Sequence, residues 1–198
     1  GSGGADTGVG AVTELGKVTY PENITPNVSA ELQAIRDNAS LSNGQKIAEV
    51  AKVALKLRGK DSGNKIVYNQ TGRSPHIFKS GHKLADCSSF VNGVVMHALG
   101  IDWGYHTATQ IQANAKRHFI YDSSKLEAGD IIYLKDGSDS KPVTLPNGQA
   151  IRVYHTMVYI GDGHVIHCTT KKGVEKLSIV SGWATKYAGK NFGAAIRT

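Results

Sequence analysis

Cysteine is scarce in this chain, with only Cys87 and Cys168 among its 198 residues. Two cysteines close at most one bridge, which excludes the disulfide-rich scaffolds of small secreted domains. We therefore predict that both thiols are free. A free thiol is compatible with an exported protein as well as with a reducing compartment, so cysteine usage does not identify the compartment.

Long apolar runs are also missing. No stretch reaches the roughly 20 residues of a membrane-spanning helix, and residues 1–30 lack the basic start and apolar core of a signal peptide. The 23 Lys and Arg against 16 Asp and Glu give a net charge of +7, but these cations are scattered, without an arginine-rich run or zinc-finger spacing. We expect no membrane span and no nucleic-acid partner, and a basic surface that favours polyanions.

The pattern of elements predicts an α+β fold. Residues 1–41 indicate a linker or N-terminal extension with a short helix near its end, and residues 42–198 indicate one domain that starts with a helix over 45–57. Strands dominate after residue 130. They are predicted at 131–135, 151–160, 164–169, 175–180 and 193–197, with an inserted hairpin over 136–152 that turns at Asn147-Gly148. Helices followed by antiparallel strands are typical of a helix layer packed on a sheet.

Cys87 precedes a segment with helical spacing. Apolar residues recur from Phe90 to Leu99 at helical intervals, and Gly100 is a suitable stop. Cys87 is therefore predicted at a helix start, where unpaired amides and the helix dipole favour the thiolate, the reactive form of cysteine. A small buried apolar residue is the alternative interpretation of this cysteine.

His155 and His167 lie in two β-rich runs that flank Gly161-Asp162-Gly163, which predicts a hairpin. A three-residue loop would pair Ile160 with His164 and place both histidines on one face as diagonal neighbours. A two-residue loop would shift the pairing by one residue and send them to opposite faces. The three-residue register also turns Cys168 away from His167, as expected of a buried structural thiol.

A cysteine at a helix start and two histidines on one strand face supply the nucleophile, base and orienting group of thiol catalysis. Cys87, His155 and His167 are our candidates for these roles, and the prediction requires no metal or other cofactor. Zinc bound by the same three side chains is the alternative.

Three blocks of the sequence resemble the NlpC-type cell-wall cysteine peptidases. The blocks are Asp86-Cys-Ser-Ser-Phe-Val91, Leu126–Leu134 with its Gly129-Asp130 pair, and the segment from His155 to His167. Their order, spacing and flanks match that family over about residues 42–198. The resemblance implies a papain-like fold, with Cys87 as the nucleophile, His155 as general base and then acid, and His167 holding the imidazole of His155.

The resemblance also implies residues that contact the substrate. Tyr68 would lie beside the cleft and bind substrate or polarise the carbonyl, with the amide of Cys87 as an oxyanion donor. Asp86 and Ser88 match family positions near the substrate's amino end. Two features depart from the family: Ser89 replaces the usual glycine, which predicts a narrower approach to the cysteine, and the loop over 69–86 is long.

The implied activity is a peptidoglycan endopeptidase that cleaves amide bonds of the stem peptide or cross-bridge. Its partners would be those stem peptides and the anionic cell wall, with the protein acting as a monomer. We expect a catalytic domain from a longer secreted, wall-associated or phage-borne protein. The alternatives are an acyltransferase or transpeptidase of the same fold and a non-catalytic wall-binding domain.

Overall fold

The computed structural model of the protein describes residues 26–58, 66–79, 83–136 and 142–198. Most of the predicted linker, residues 1–25, lies outside the described residues. So do residues 80–82 of the loop before Cys87 and residues 137–141 of the predicted insertion.

The described elements confirm the predicted α+β class. The helices are α1 (Pro26–Asp37), α2 (Asn43–Leu55), α3 (Cys87–Leu99) and α4 (Thr107–Ala113). The strands are β1 (Ile66–Tyr68), β2 (Lys83–Ala85), β3 (His118–Ile120), β4 (Ile131–Lys135), β5 (Pro142–Thr144), β6 (Ala150–Gly161), β7 (His164–Thr169), β8 (Gly173–Ser178) and β9 (Phe192–Arg197). Three 3₁₀ turns cover Lys56–Arg58, Ser123–Lys125 and Gly182–Tyr187. The strands after residue 130 lie within about two residues of the predicted ones.

One antiparallel sheet contains the strands in the order β3-β9-β4-β6-β7-β8, and β5 pairs with β6 beside it. The β5–β6 hairpin aligns Val143 with Ile151. Gly148 of its turn adopts a φ of 90°, which an Asn-Gly turn supplies at little cost. The predicted hairpin with its turn at Asn147-Gly148 is confirmed.

Local sequence explains where α2 and α3 begin. Ser42 and Gln45 form a reciprocal capping box at α2, and Asp86 and Ser89 form another at α3, so that the first amides of both helices have partners. Gly100 ends α3 in the left-handed region, at a φ of 69°. The side chains of α3 are buried on all sides from Ser88 to Ala98, which identifies α3 as the central helix of the domain.

Apolar residues cover both faces of the sheet. The larger cluster joins the helices to one face and includes Phe90 and Val94 of α3 together with Ile131 and Ile166 of the sheet. The smaller cluster lies on the other face, where residues that include Ile132, Met157 and Val165 pack with Phe192. The sheet is therefore held between two apolar layers, and the start of α3 meets it at one end.

Helix α1 packs into the same core through Val28 and Leu32, which are almost completely buried. This helix lies within residues 1–41, the segment predicted to be a linker or N-terminal extension. The boundary at residue 42 stays a prediction.

Across the four described segments, none of the helices has the combination of length and hydropathy that a membrane span requires.

Candidate active site

The start of α3 fixes Cys87 as the first helical residue. Asp86 is the N-cap: its Oδ1 accepts a 2.8 Å hydrogen bond from the Ser89 amide, and its own amide donates to Ser89 Oγ at 3.0 Å. Ser89 is completely buried and does not line the pocket that contains Cys87. Ser89, at the position where the resemblance implies glycine, therefore supports the helix start through its hydroxyl, and the predicted narrowing of the approach to Cys87 is not observed.

Asp86 and Ser88 lie beneath the pocket surface. Asp86 Oδ1 also accepts from Ser88 Oγ at 3.0 Å, and Asp86 Oδ2 accepts from Arg73 Nη1 at 2.8 Å. Ser88 Oγ in turn accepts from the His106 amide at 2.9 Å. Both side chains are engaged in fixing the start of α3, and the structure does not bring them into the pocket.

The β6–β7 hairpin has a shorter loop than predicted, but beyond the loop its strands pair in the predicted register. The loop is the two-residue turn Asp162-Gly163, whose φ values of 52° and 73° suit a type I′ turn, and Gly161 pairs with His164 where Ile160 was expected. A register shift between Tyr159 and Gly161 leaves Ile160 as an extra residue. This bulge offsets the shorter turn and restores the predicted alignment beyond it.

The restored alignment brings the two histidines together. His155 Nε2 lies 2.8 Å from His167 Nδ1, and the rings meet edge to face with their centroids 5.0 Å apart. The other nitrogen of His167, Nε2, lies 3.4 Å from Glu175 Oε1 on β8. His155, His167 and Glu175 thus form a continuous polar chain, which we call the relay.

A second bulge is located beside His155. Leu134 of β4 pairs with His155, but the next residue, Lys135, pairs with Val153, so Tyr154 is the extra residue. Bulges redirect side chains next to functional sites. Here Tyr154 and His155, although adjacent in sequence, both line the same pocket.

This pocket has a volume of about 440 Å³ and contains the candidate catalytic residues. Cys87, His155, His167 and Tyr68 all line it. Further lining residues are Tyr154, Cys168, Thr169, Thr170, Lys171, Lys172, Glu175, Trp183 and Tyr187. The structure therefore brings four of the six predicted site residues to one cleft, with an exposed Trp183 at its margin.

Tyr68 reaches the cleft through strand pairing. Strands β1 and β2 are parallel and align Tyr68 with Ala85, two residues before Cys87. The long loop between Tyr68 and Cys87 therefore returns the chain to the tyrosine. Burial, followed by the charges of Cys87 and Asp86, raises the pKa of the Tyr68 hydroxyl, which favours its protonated, hydrogen-bond-donating form.

The protonation of Cys87 differs from the sequence prediction. Burial, followed by the Asp86 carboxylate, raises the pKa of the thiol to about 12, and the backbone amides of Thr156, Ser88 and Cys87 oppose this shift only in part. The amides at the helix start favour the thiolate as predicted, but desolvation at the pocket floor outweighs them. This shift favours the protonated thiol at neutral pH.

The two histidines are also neutral in the resting protein. Burial lowers the pKa of His155 to about 3, and the neighbouring His167 adds to this shift. Burial likewise lowers the pKa of His167, against a hydrogen bond and a negative charge from Glu175 that raise it. A neutral imidazole can accept the proton of a neutral thiol, so the pair suits general-base activation.

Cys168 has the structural role expected for it. It is completely buried in the larger apolar cluster, and its thiol donates to the carbonyl of Ala85 at 3.6 Å. Both cysteines are free thiols.

Sequence reasoning missed Glu175 and Arg73. Glu175 is the direct cross-strand partner of His167 in the β7–β8 pairing. The register of that hairpin was the signal that could have identified it, since Thr169 pairs with Gly173 across a three-residue turn. Arg73 lies in the long loop before Cys87 and gave no sequence signal.

In the four described segments, no group of three or more His, Cys, Asp and Glu side chains is arranged to hold a metal ion.

Comparison with known proteins identifies relatives of this chain and its fold. The profile of the NlpC/P60 family matches residues 66–195. A search of curated proteins finds no match.

Solved structures share the fold at low identity. The NlpC/p60 domain of the peptidoglycan hydrolase SagA is 24% identical over 79% of this chain and all of that one, with a TM-score of 0.50. NlpC1 from Trichomonas vaginalis is 22% identical with a TM-score of 0.53, and an NlpC/P60 family protein from Bacillus cereus is 21% identical with a TM-score of 0.50. Matches to these two cover 82% of this chain but only 46% and 42% of theirs. The helices and antiparallel sheet match these papain-like structures.

Proposed function

Since the chain belongs to the NlpC/P60 family, we propose that it is a cysteine endopeptidase that hydrolyses amide bonds in the peptide part of peptidoglycan. The observation that carries this proposal is the convergence of Cys87, His155 and His167 on one open pocket. The SagA domain, a peptidoglycan hydrolase with the same fold, supports the choice of substrate. The basic character of the chain supports binding to an anionic wall.

The first half of the reaction forms a thioester. Cys87 Sγ attacks the carbonyl carbon of the scissile amide while His155 takes the thiol proton, which the raised pKa of Cys87 keeps on sulfur until then. His155 Nε2 is engaged by His167, so Nδ1 is the nitrogen that accepts this proton. The oxyanion receives hydrogen bonds from the Cys87 amide and the Tyr68 hydroxyl. The C–N bond breaks as His155 protonates the leaving amine.

The second half releases the product. Water attacks the thioester carbonyl and His155 accepts its proton; the C–S bond then breaks as His155 passes that proton to Cys87 Sγ, which gives a carboxylic acid and the free thiol. No metal or redox step is required. Such a substrate lies outside the cell membrane, so we propose a secreted or wall-associated location and residues 42–198 as the catalytic domain.

The open part of the pocket suits an extended peptide with charged groups. Three aromatic side chains, Tyr154, Trp183 and Tyr187, line it together with the exposed Lys171 and Lys172. Aromatic rings contribute apolar contact area and the lysines attract carboxylates, such as those of peptidoglycan stems.

The test is mass spectrometry of soluble fragments released from purified peptidoglycan of several wall types. We expect release by the intact protein and by Cys168→Ala, a matched control because Cys168 is a buried thiol of the same pocket. Cys87→Ala should release none while keeping the circular dichroism spectrum. Release by folded Cys87→Ala, or no release by the intact protein from any wall, would overturn the proposal.

A further inference from the structure

The relay has a member that the proposed catalytic set does not include. Glu175 lies directly opposite His167 in the antiparallel pairing of β7 and β8, and its side chain is 13% exposed. Its carboxylate oxygen lies 3.4 Å from His167 Nε2, on the side of that ring away from His155. An acidic side chain with this burial and direction can control the proton positions of both rings.

The argument starts from the hydrogen-bonding capacity of each group. An ionised carboxylate only accepts hydrogen bonds, so His167 Nε2 must carry the hydrogen that faces Glu175. A neutral imidazole has a single N–H, so His167 Nδ1 is then an acceptor. Since His167 Nδ1 lies 2.8 Å from His155 Nε2, the hydrogen between the rings belongs to His155.

The consequence is a single tautomer at the base. With its hydrogen on Nε2, His155 has its lone pair on Nδ1, the nitrogen that is free of His167. The opposite tautomer would place a hydrogen on Nδ1 and prevent it from accepting the thiol proton. Glu175 thus determines the tautomer of His155 without touching it, because His167 lies between the two side chains.

We propose that Glu175 is a positioning residue that holds His155 in the Nε2–H tautomer through His167 and stabilises the positive charge that forms on the relay when Cys87 loses its proton. This inference rests on the proposed function. Glu175 transfers no proton to substrate and touches no reacting atom. Its carboxylate stays ionised while the imidazole of His155 gains and then loses one proton in each half-reaction.

Other groups around the relay do not replace Glu175. Lys171 and Lys172 of the turn between β7 and β8 line the same pocket, and their charge disfavours a cation on the relay. Tyr187, whose hydroxyl has a raised pKa from burial and from the charge of Glu175, is uncharged in the working range, as is Cys87. Among the described pocket-lining residues, Glu175 is the one carboxylate.

Two substitutions separate the role of Glu175 as a hydrogen-bond acceptor from its role as a negative charge, and a third is the control. Glu175→Gln keeps an oxygen acceptor for His167 Nε2 but removes the charge, and Glu175→Leu removes both. Glu127→Gln is the control, because Glu127 is a mostly exposed glutamate that pairs with Arg197 outside the pocket.

The first readout is ¹⁵N NMR of the resting protein labelled at histidine, which reports the tautomer without substrate. We expect His155 in the Nε2–H form in the intact protein, Glu175→Gln and Glu127→Gln, and a mixture of tautomers in Glu175→Leu. An unchanged Nε2–H tautomer in folded Glu175→Leu would overturn the proposal that Glu175 holds it. If that variant does not fold, a mixed tautomer at His155 in the intact protein would overturn it.

The second readout is the pH profile of kcat/KM on peptidoglycan fragments. The carboxylate raises the pKa of the relay, so its removal in Glu175→Gln should move the acidic limb to lower pH and lower the maximum several-fold, with a loss of about 10- to 100-fold in Glu175→Leu. An unmoved limb in Glu175→Gln would reject the charge role. If Glu175 controls the tautomer of His155 but the protein hydrolyses no peptidoglycan fragment, the peptidase proposal is wrong and the role of Glu175 in the relay is supported. If the protein hydrolyses fragments but the tautomer does not depend on Glu175, only the proposed role of Glu175 is wrong.

Discussion

The two sides of the cleft are built in different ways. The helix wall, which we define as Cys87 and the residues that fix it from beneath the pocket surface, Arg73, Asp86, Ser88 and Ser89, is held by hydrogen bonds among the last three residues and one buried ion pair. The sheet wall, defined as His155, His167 and Glu175, is assembled from three strands whose side chains meet only because the registers agree. Short-range chemistry positions the nucleophile, and long-range pairing positions its base.

This difference determines how each wall fails. A substitution of Arg73, Asp86 or Ser89 in the helix wall leaves a buried polar group without its partner, and the cost appears in stability. A substitution in the sheet wall removes a group from the relay while the strands stay paired, and the cost appears in the reaction. The following predictions test this contrast, beginning with the largest expected effect.

The sheet wall supplies the base of the proposed reaction. We expect His155→Ala to lower the rate of peptidoglycan cleavage by at least about 10³-fold, because the neutral thiol loses its base. The matched control is His164→Ala, which removes a histidine from the same hairpin outside the pocket and should change the rate less than threefold. Comparable losses in the two variants, measured by fragment release, would contradict the assignment of the base.

The helices and the sheet meet away from the cleft at Gly129, which has a φ of 93° and whose added Cβ would overlap the backbone of Gly44. We expect Gly129→Ala to lower the free energy of unfolding in urea by about 3 kcal/mol, from backbone strain and overpacking together. Gly148→Ala is the control, since Gly148 has a similar φ of 90° but open space around it. It should cost only about 1 kcal/mol. Equal losses would show that the close approach to Gly44 does not matter.

The helix wall should respond to loss of its ion pair. Arg73→Met leaves the Asp86 carboxylate buried beside an apolar side chain, and we expect a loss of about 3 kcal/mol in urea unfolding. The double variant Arg73→Met with Asp86→Asn should recover part of this loss, because asparagine keeps an acceptor for the Ser89 amide without a charge. No recovery in the double variant would argue against the uncompensated charge as the cause.

The thiol itself gives the smallest and most direct test. Because burial raises the pKa of Cys87 to about 12, its thiolate fraction should grow about tenfold for each pH unit below that value. The alkylation rate by iodoacetamide should therefore rise steadily from pH 6 to pH 9, with Cys168→Ala used to exclude the second thiol. An alkylation rate that levels off near neutral pH would indicate that Cys87 is a thiolate at rest, and would contradict a neutral Cys87 thiol beside a neutral His155 imidazole.

The strengths of the sequence prediction follow the same division. The helix at Cys87, its stop at Gly100 and the strands after residue 130 were predicted because capping residues and alternation act over a few neighbours. The hairpin loop was predicted with the wrong length, and the histidines were still correctly paired because the bulge at Ile160 compensates. No local sequence pattern predicts this bulge, because its position depends on both paired strands and on the residues that pack against them.

The sequence by itself determined the fold class and the placement of Cys87 at a helix start, because these depend on periodicity and capping along the chain. The alignment of the two histidines also required the bulge at Ile160, which depends on strand pairing. Only the tertiary structure decided the protonation of the thiol, since burial depends on every surrounding element and here exceeds the effect of the helix dipole. It also decided that Asp86 bonds to Arg73 beneath the surface and that Glu175 completes the relay. Those contacts join residues that are distant in sequence, and the chain brings them together only by folding.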